Sequence, residues 1–437
     1  MEWWLALAMI AGALVFLLAT GLQVAFCFML INLVGVYFFW GGVSGFHQLI
    51  LSMYSSITFF ALLPVVMFIL MGEVLFHSGI FVNAIDVLDK WMGRLPGRLG
   101  LVAVGGATLF STLSGSSMGT TAMLGSLLTP EMERRGYKKP ISIGACMSGA
   151  LAMIIPPSAL AVILATLAQI SVGRLLMAGV LPGLMMAILY VGYIIGRCTL
   201  QPSIAPAYTP VTIPLSQKIM NTVRYVLPFG IVIFIVIGLI FMGIASPTEA
   251  SAMGALAIFI LATLYRRLNL GVVKESVSGT LRIAVMMFII LTGSTAFSQI
   301  LAYSGATRGL TEFVVALELP PIVLLIAMQF LLLILGCFME QVSIMMITFP
   351  IFLPLVRALG FDMIWFGLLV LINMEIAMKT PPFGFCLFVM KGVAPPDTTM
   401  GDIYRATFPF ILADILAMAM VMLFPIIALW LPSLMRY

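Results

Sequence analysis

Val226 to Ala245 reads VLPFGIVIFIVIGLIFMGIA, twenty residues without a charge, and comparable runs recur along the chain. As a helix rising 1.5 Å per residue, such a run crosses a hydrocarbon core of about 30 Å. With 62% hydrophobic and 8% charged residues and a mean hydropathy of +1.20, the chain is expected to be an all-α polytopic membrane protein set in a lipid bilayer. No soluble domain is visible, and nucleic acid is not an expected partner. The opening MEWWLALAMIAGALVFLLATG lacks the cations of a signal-peptide n-region and is expected to stay as the first helix. Cys27, Cys146, Cys198, Cys337 and Cys386 have no CxxC spacing and are expected to act as small apolar fillers.

Topology follows from the cations. Helices near residues 3–20, 22–40 and 57–77 precede any Lys or Arg, and the first basic cluster is Lys90, Arg94 and Arg98 on an amphipathic stretch. With the N-terminus outside (periplasmic), roughly ten crossings place sixteen of the 21 Lys and Arg on the cytoplasmic side. Arg436 alone leaves the side of the C-terminus undetermined. That count requires STLSGSSMGTT, residues 111–121, not to be part of a crossing. It divides the segment between Arg98 and Arg134 into two arms of about 12 residues, each reaching only ~18 Å. The expectation is a re-entrant helical hairpin at about 99–130, entering from the cytoplasm, with its polar tip facing protein or water.

The second half repeats the pattern. LLTPEMERRGY (127–137) and IFLPLVRALGF (351–361) share a proline and a Gly–aromatic pair, and IIPPS (154–158) aligns with KTPPF (379–383). The feet of the two hairpins differ in charge, ERRGYKK against VRALGFD, so the halves are expected to be inverted repeats. This divides the chain into a first half at 1–195, a cytoplasmic linker at 196–224, and a second half at 225–437 with its own re-entrant hairpin at about 320–356. Each half then holds one hairpin tip and one Pro-broken helix. Paired prolines remove backbone donors and leave helical carbonyls that suit a hard cation. The expected ion and substrate site combines Ser114, Gly115, Ser116 and Ser117 with Pro156, Pro157 and Ser158, and Glu340, Gln341 and Ser343 with Thr380, Pro381 and Pro382. Ser148 and Asn373, eight residues before each proline pair, are expected to face the same cavity.

These motifs carry a resemblance. SGSSMGTTAMLGSLLTPEMERRGYKKPISIGACMSGALAMIIPPSALAVILA, GRLLMAGVLPG and NMEIAMKTPPFG resemble the large membrane subunit of the tripartite ATP-independent periplasmic (TRAP) transporters, within the wider ion-transporter superfamily. The resemblance implies a multi-pass protein of the bacterial inner membrane, importing an organic acid such as a C4-dicarboxylate or sialic acid. It implies symport with sodium as the coupling ion and no other cofactor, with Na+ near Ser114, Ser116, Ser117 and Thr380. It also implies an elevator mechanism with scaffold and transport domains, a separate small four-helix membrane subunit, and delivery by a periplasmic substrate-binding protein. Relatives often carry Asp at the second tip, where this chain has Glu340, so the role of that carboxylate stays open between gating, ion coupling and holding the tip backbone.

Single hydroxyls in membrane helices usually serve their own backbone, but seven at one tip point to a cavity. Glu375 and Lys379 are expected to pair on one helix face, and Glu73 and Asp414 to be interfacial or packing residues. Three other functions compete with the tripartite importer. A stand-alone ion-coupled carboxylate carrier would share the fold. An intramembrane serine hydrolase would use Ser117 of the G-x-S-x-G string GSSMG, yet only His47, in an expected outer loop, and His77 exist as bases. A channel is disfavoured by the inverted halves.

Overall fold

The computed structural model describes residues 2–435 except 41, 94 and 207–213. Arg94, Arg436 and part of the expected 196–224 linker therefore lie outside the described residues. Every regular element among the described residues is helical.

Two apolar helices, α1 (Trp3–Ala19) and α2 (Val24–Phe39), open the chain. The expected outer loop that follows is instead an amphipathic helix, α3 (Val43–Ile57), whose Ser52 hydroxyl donates to Gln299 Oε1 at 2.8 Å. α4 (Leu63–Ser78) and the surface helix α5 (Val82–Met92) lead to the first hairpin, α6 (Arg98–Ser114) and α7 (Ser117–Arg134). Its arms are longer than the 12 residues expected, reaching ~26 Å. Most of the polar stretch is itself helical, and Thr112 and Thr120 satisfy their hydroxyls within it by donating to the carbonyls of Leu109 and Ser116.

The chain then passes through α8 (Lys139–Ser142), a 3-10 stretch at Ala145–Met153, the Pro156–Pro157 turn and α9 (Ala159–Ala168). α10 (Val172–Leu200) carries the helix past the expected linker boundary. α11 (Leu215–Tyr225), α12 (Leu227–Ile233), a π-turn at Phe234–Gly238 and α13 (Leu239–Phe241) form one long apolar path. α14 (Pro247–Leu264) starts at a capping box between Ser246 and Glu249, and α15 (Leu270–Tyr303) at Asn269, whose side chain accepts from Val272 N–H at 2.9 Å. The connection that follows α15 is helical too, as α16 (Ala306–Ala316).

The second hairpin is α17 (Pro321–Gly336) and α18 (Gln341–Ala358). Behind it run α19 (Met363–Lys379), the Pro381–Pro382 turn, α20 (Phe385–Val393), α21 (Met400–Leu423) and α22 (Ile426–Ser433). Seven helices among the described residues are long and apolar enough to cross a membrane. The expected ten crossings exceed this because α1 and α2 stop at 17 and 16 residues and two further paths are broken at their prolines. Outward-facing Phe16, Phe38, Ile188 and Leu264 give the exterior the apolar character that lipid requires.

Packing sorts the helices into two groups. α4 packs on α14 and α15, and α15 also packs on α2 and α3. α6 and α7 pack on the 3-10 stretch, which also touches α19, while α10, α21 and α22 close around that set. α4 meets α6 and α9, and α15 meets α18. The tips of both hairpins lie along that seam.

Candidate functional site

The first tip is a two-residue break. Gly115 ends α6 at φ +58°, a left-handed conformation suited to glycine, with its N–H donating to Ser111 O at 3.2 Å. Ser116 is extended and caps α7, its Oγ accepting from Gly119 N–H at 3.1 Å. Ser117 Oγ donates to Ala150 O at 3.0 Å, fastening the tip to the 3-10 stretch, and the Ser114 and Thr120 hydroxyls lie 3.0 Å apart. A Cβ on Gly72 of α4 would stand 2.2 Å from the Ser114 carbonyl oxygen. α4 and the tip thus touch through backbone, with no side chain between them. At the second tip Glu340 caps α18, its Oε2 accepting from Val342 N–H at 3.1 Å and Ser343 N–H at 3.4 Å.

The two tips face one cavity of about 350 Å³. Ser114, Gly115, Ser116 and Ser117 line it from the first hairpin, Glu340 and Gln341 from the second, Glu73 and His77 from α4, and Ile283 and Met287 from α15. Larger cavities of about 590 and 990 Å³ lie elsewhere and contain neither tip.

The other expected site residues lie outside its lining. The Ser148 hydroxyl donates to Ala145 O at 2.6 Å, Ser158 caps α9 by accepting from Ala161 N–H at 3.2 Å, and Thr380 Oγ1 donates to Ile376 O at 2.7 Å. Ser343 is buried beside the second cap. Asn373 donates to Gln329 O and Oε1 at 2.7 and 2.9 Å, joining α19 to α17. Ser148 and Asn373 therefore do not line the cavity between the tips: the Ser148 hydroxyl is returned to its own turn and the Asn373 amide is held by Gln329 of α17. Both breaks hold cis bonds, Pro156–Pro157 and Pro381–Pro382. The Pro157 carbonyl comes within 3.5 Å of where a Cβ on Gly115 would be, so the first break does abut the first tip. At the second break the prolines' own carbonyls are engaged, Pro382 O accepting from the Tyr404 hydroxyl at 3.0 Å and Pro381 O from the Cys337 thiol at 3.6 Å, and in the preceding turn Ala377 O accepts from Thr380 N–H at 3.2 Å.

Residues 11–427 match the family described as the tripartite ATP-independent periplasmic transporter, DctM component. A relative at 33% identity over 403 residues, covering 88% of this chain and 90% of its own, is the C4-dicarboxylate TRAP transporter large permease protein DctM of Rhodobacter capsulatus. The chain belongs to this family. It is a TRAP large permease subunit and a multi-pass inner-membrane protein. The ectoine TRAP transporter large permease protein TeaC of Halomonas elongata is 29% identical over 406 residues, covering 92% of this chain and 93% of its own. The solved transporter MtrF of Neisseria gonorrhoeae shares the fold, with a TM-score of 0.63 at 12% identity, covering 89% of this chain and 85% of that one. The relatives are permeases and not enzymes, which removes the hydrolase reading. Large permeases of this family work with a small membrane subunit and a periplasmic binding protein.

The permease also holds a polar cluster that sequence reasoning reached only in part. Glu375 and Lys379 pair at 3.0 Å as expected, but both are fully buried and the Lys379 ammonium also pairs with Asp414 of α21. The Tyr190 hydroxyl of α10 accepts from Lys379 Nζ at 2.7 Å and donates to Asp414. Asp414 is thus the core of an ion network and not a packing residue, and Glu73 lines the cavity between the tips. Tyr190 escaped notice altogether. The available signal was one Lys and one Asp standing alone in apolar helices, where an intramembrane charge needs a partner.

Proposed function

We propose that this permease imports an organic acid by sodium symport, taking it from a periplasmic binding protein and acting together with a small four-helix membrane subunit. The observation that carries this reading is the convergence of both hairpin tips on one cavity. In the proposed cycle the substrate binds there. Sodium is held by hard oxygens around the first tip: the hydroxyls of Ser114, Ser116 and Ser117 and the Pro157 carbonyl nearby. The Ser111 hydroxyl, buried without a hydrogen-bond partner at the end of α6, suits an oxygen-rich site of this kind. Thr380, expected as a fourth donor, lies outside the lining of the cavity between the tips.

The same reading treats residues 1–195 and 225–437 as inverted halves, with the linker at 196–224 on the cytoplasmic side and the N-terminus in the periplasm. The hairpins and broken helices then form the transport block of an elevator, and α4, α14 and α15 the wall it moves against. C4-dicarboxylates, sialic acid and ectoine, named for relatives, mark the range of acids to consider.

Reconstitution with each component left out tests the reading. Uptake is expected only when the permease, the small subunit, the loaded binding protein and an inward sodium gradient are all present. Robust sodium-driven uptake of free substrate by this chain alone would overturn the tripartite reading in favour of a stand-alone carboxylate carrier.

A further inference from the structure

The charged or titratable side chains lining the cavity between the tips are Glu73, His77 and Glu340, and among the described residues no Lys or Arg lines it. For an importer of acids this is an unexpected balance. A dianion would shed water to enter beside two carboxylates, and like charges brought together out of water repel strongly. His77 does not reverse the sign. Its Nε2 lies 3.2 Å from Glu73 Oε2, one turn away on α4, so a proton on the ring is offset by Glu73 itself. Glu340 is partly offset as well, since it caps α18 and accepts two amide hydrogens.

Glu73 has no such amide donors, and its place is prepared by its neighbour. A Cβ on Gly279 of α15 would come within 2.3 Å of Glu73 Oε2, so the carboxylate rests against the bare glycine and would have to swing aside for a larger residue. Glu73 lines the same cavity as the hairpin tips where α7 and α18 begin. The N-terminus of α7, capped by the neutral Ser116, favours an anionic group, while that of α18 is already met by Glu340; the acid on α4 favours a cationic one.

We propose that Glu73 receives the cationic end of the substrate, so that the permease carries a zwitterionic acid, a carboxylate or sulfonate joined to an ammonium or amidinium group, in preference to a dicarboxylate. This rests on the reading in which the cavity between the tips is the substrate path. The acid end lies toward the first tip with the coupling ion, and the cationic end toward α4. Glu73 is then a specificity-determining residue, and Gly279 positions it.

The test offers vesicles carrying the complete three-component transporter an equimolar mixture of ectoine, taurine and proline with succinate, malate and fumarate, under an inward sodium gradient. The acids inside are then identified by mass spectrometry. The binding protein is the same in every arm, so a change between variants belongs to the permease. Zwitterions are expected inside at tenfold or greater excess over dicarboxylates. Glu73→Gln should cut that ratio at least tenfold, Gly279→Ala should shift it the same way, and Glu73→Asp should keep it. A dicarboxylate excess in the wild type would overturn the inference while leaving organic-acid import standing. A ratio unmoved by Glu73→Gln, or equal loss of uptake in Glu73→Gln and Glu73→Asp, would overturn it by reducing Glu73 to a structural group. No zwitterion taken up by the wild type would likewise overturn this inference, whereas the import reading stands or falls on the component-omission test.

Discussion

Lys379 shows how much one side chain can hold. Its ammonium is fully buried among Glu375, Asp414 and Tyr190. Lys379→Met leaves two buried carboxylates facing each other, and removal of one partner from such a network costs about 3–5 kcal/mol. The expected result is a large drop in the unfolding midpoint of the detergent-solubilised permease, partly recovered in the triple variant with Glu375→Gln and Asp414→Asn. A midpoint unchanged by Lys379→Met would mean that the network contributes nothing to stability. Gly115 poses a smaller question: alanine at its left-handed φ costs about 1 kcal/mol. The clash at Gly72 is harder, since a Cβ there meets the Ser114 carbonyl, so Gly72→Ala should cost about 1–3 kcal/mol as an overpacked contact. Thermal unfolding of both variants checks the order, and equal stability would show that α4 yields at the tip.

The elements that sequence made legible were those with local signals. The hairpin tip announced itself because Gly115 and the surrounding hydroxyls are polar in an apolar chain, and Glu340 stood out as a lone acid at the second tip, although its place as the cap of α18 was one of three roles left open. Helices α3 and α16 went unread because both are amphipathic and short, which on sequence alone looks like a connection. The 3-10 stretch before Pro156 was hidden as well, since its small residues carry no periodic signal. Near the helix ends, Lys139 pairs with Asp397 at 2.9 Å and Asp402 at 3.3 Å, joining the foot of the first hairpin to the second half. The hydrogen bond from Lys139 holds the Asp397 carboxyl below its ordinary value. A carboxylate whose folded pKa is depressed stabilises at pH above its unfolded value, and the gain disappears as pH falls through the folded one. The difference in unfolding midpoint between wild type and Lys139→Met should therefore be present at pH 6 and shrink below the ordinary Asp range. Both side chains are solvent-accessible, so the difference should be small and screened by salt. A difference that grows on acidification would contradict the assignment.

At the scale of the whole permease, the buried network joins helices far apart in sequence: α10 supplies Tyr190, α19 supplies Glu375 and Lys379, and α21 supplies Asp414. Sequence reasoning reached only the pair four residues apart, because nothing in a single chain says which distant helix an isolated Asp will meet. The network also bears on how the protein is made. α19 brings its acid and base together and can enter the bilayer already neutralised. α21 arrives later with Asp414 unpaired, and one Asp at the centre of an inserting helix costs about 2.5–3.5 kcal/mol. Biogenesis of the last long helix should then depend on the earlier ones being in place. In an insertion assay α21 alone should integrate poorly and Asp414→Leu should rescue it, whereas in the full chain the wild-type helix should integrate well and lose that ability with Lys379→Met. Order of synthesis thus becomes part of the fold, with a charge buried near the end of the chain finding its partner because that partner was made first.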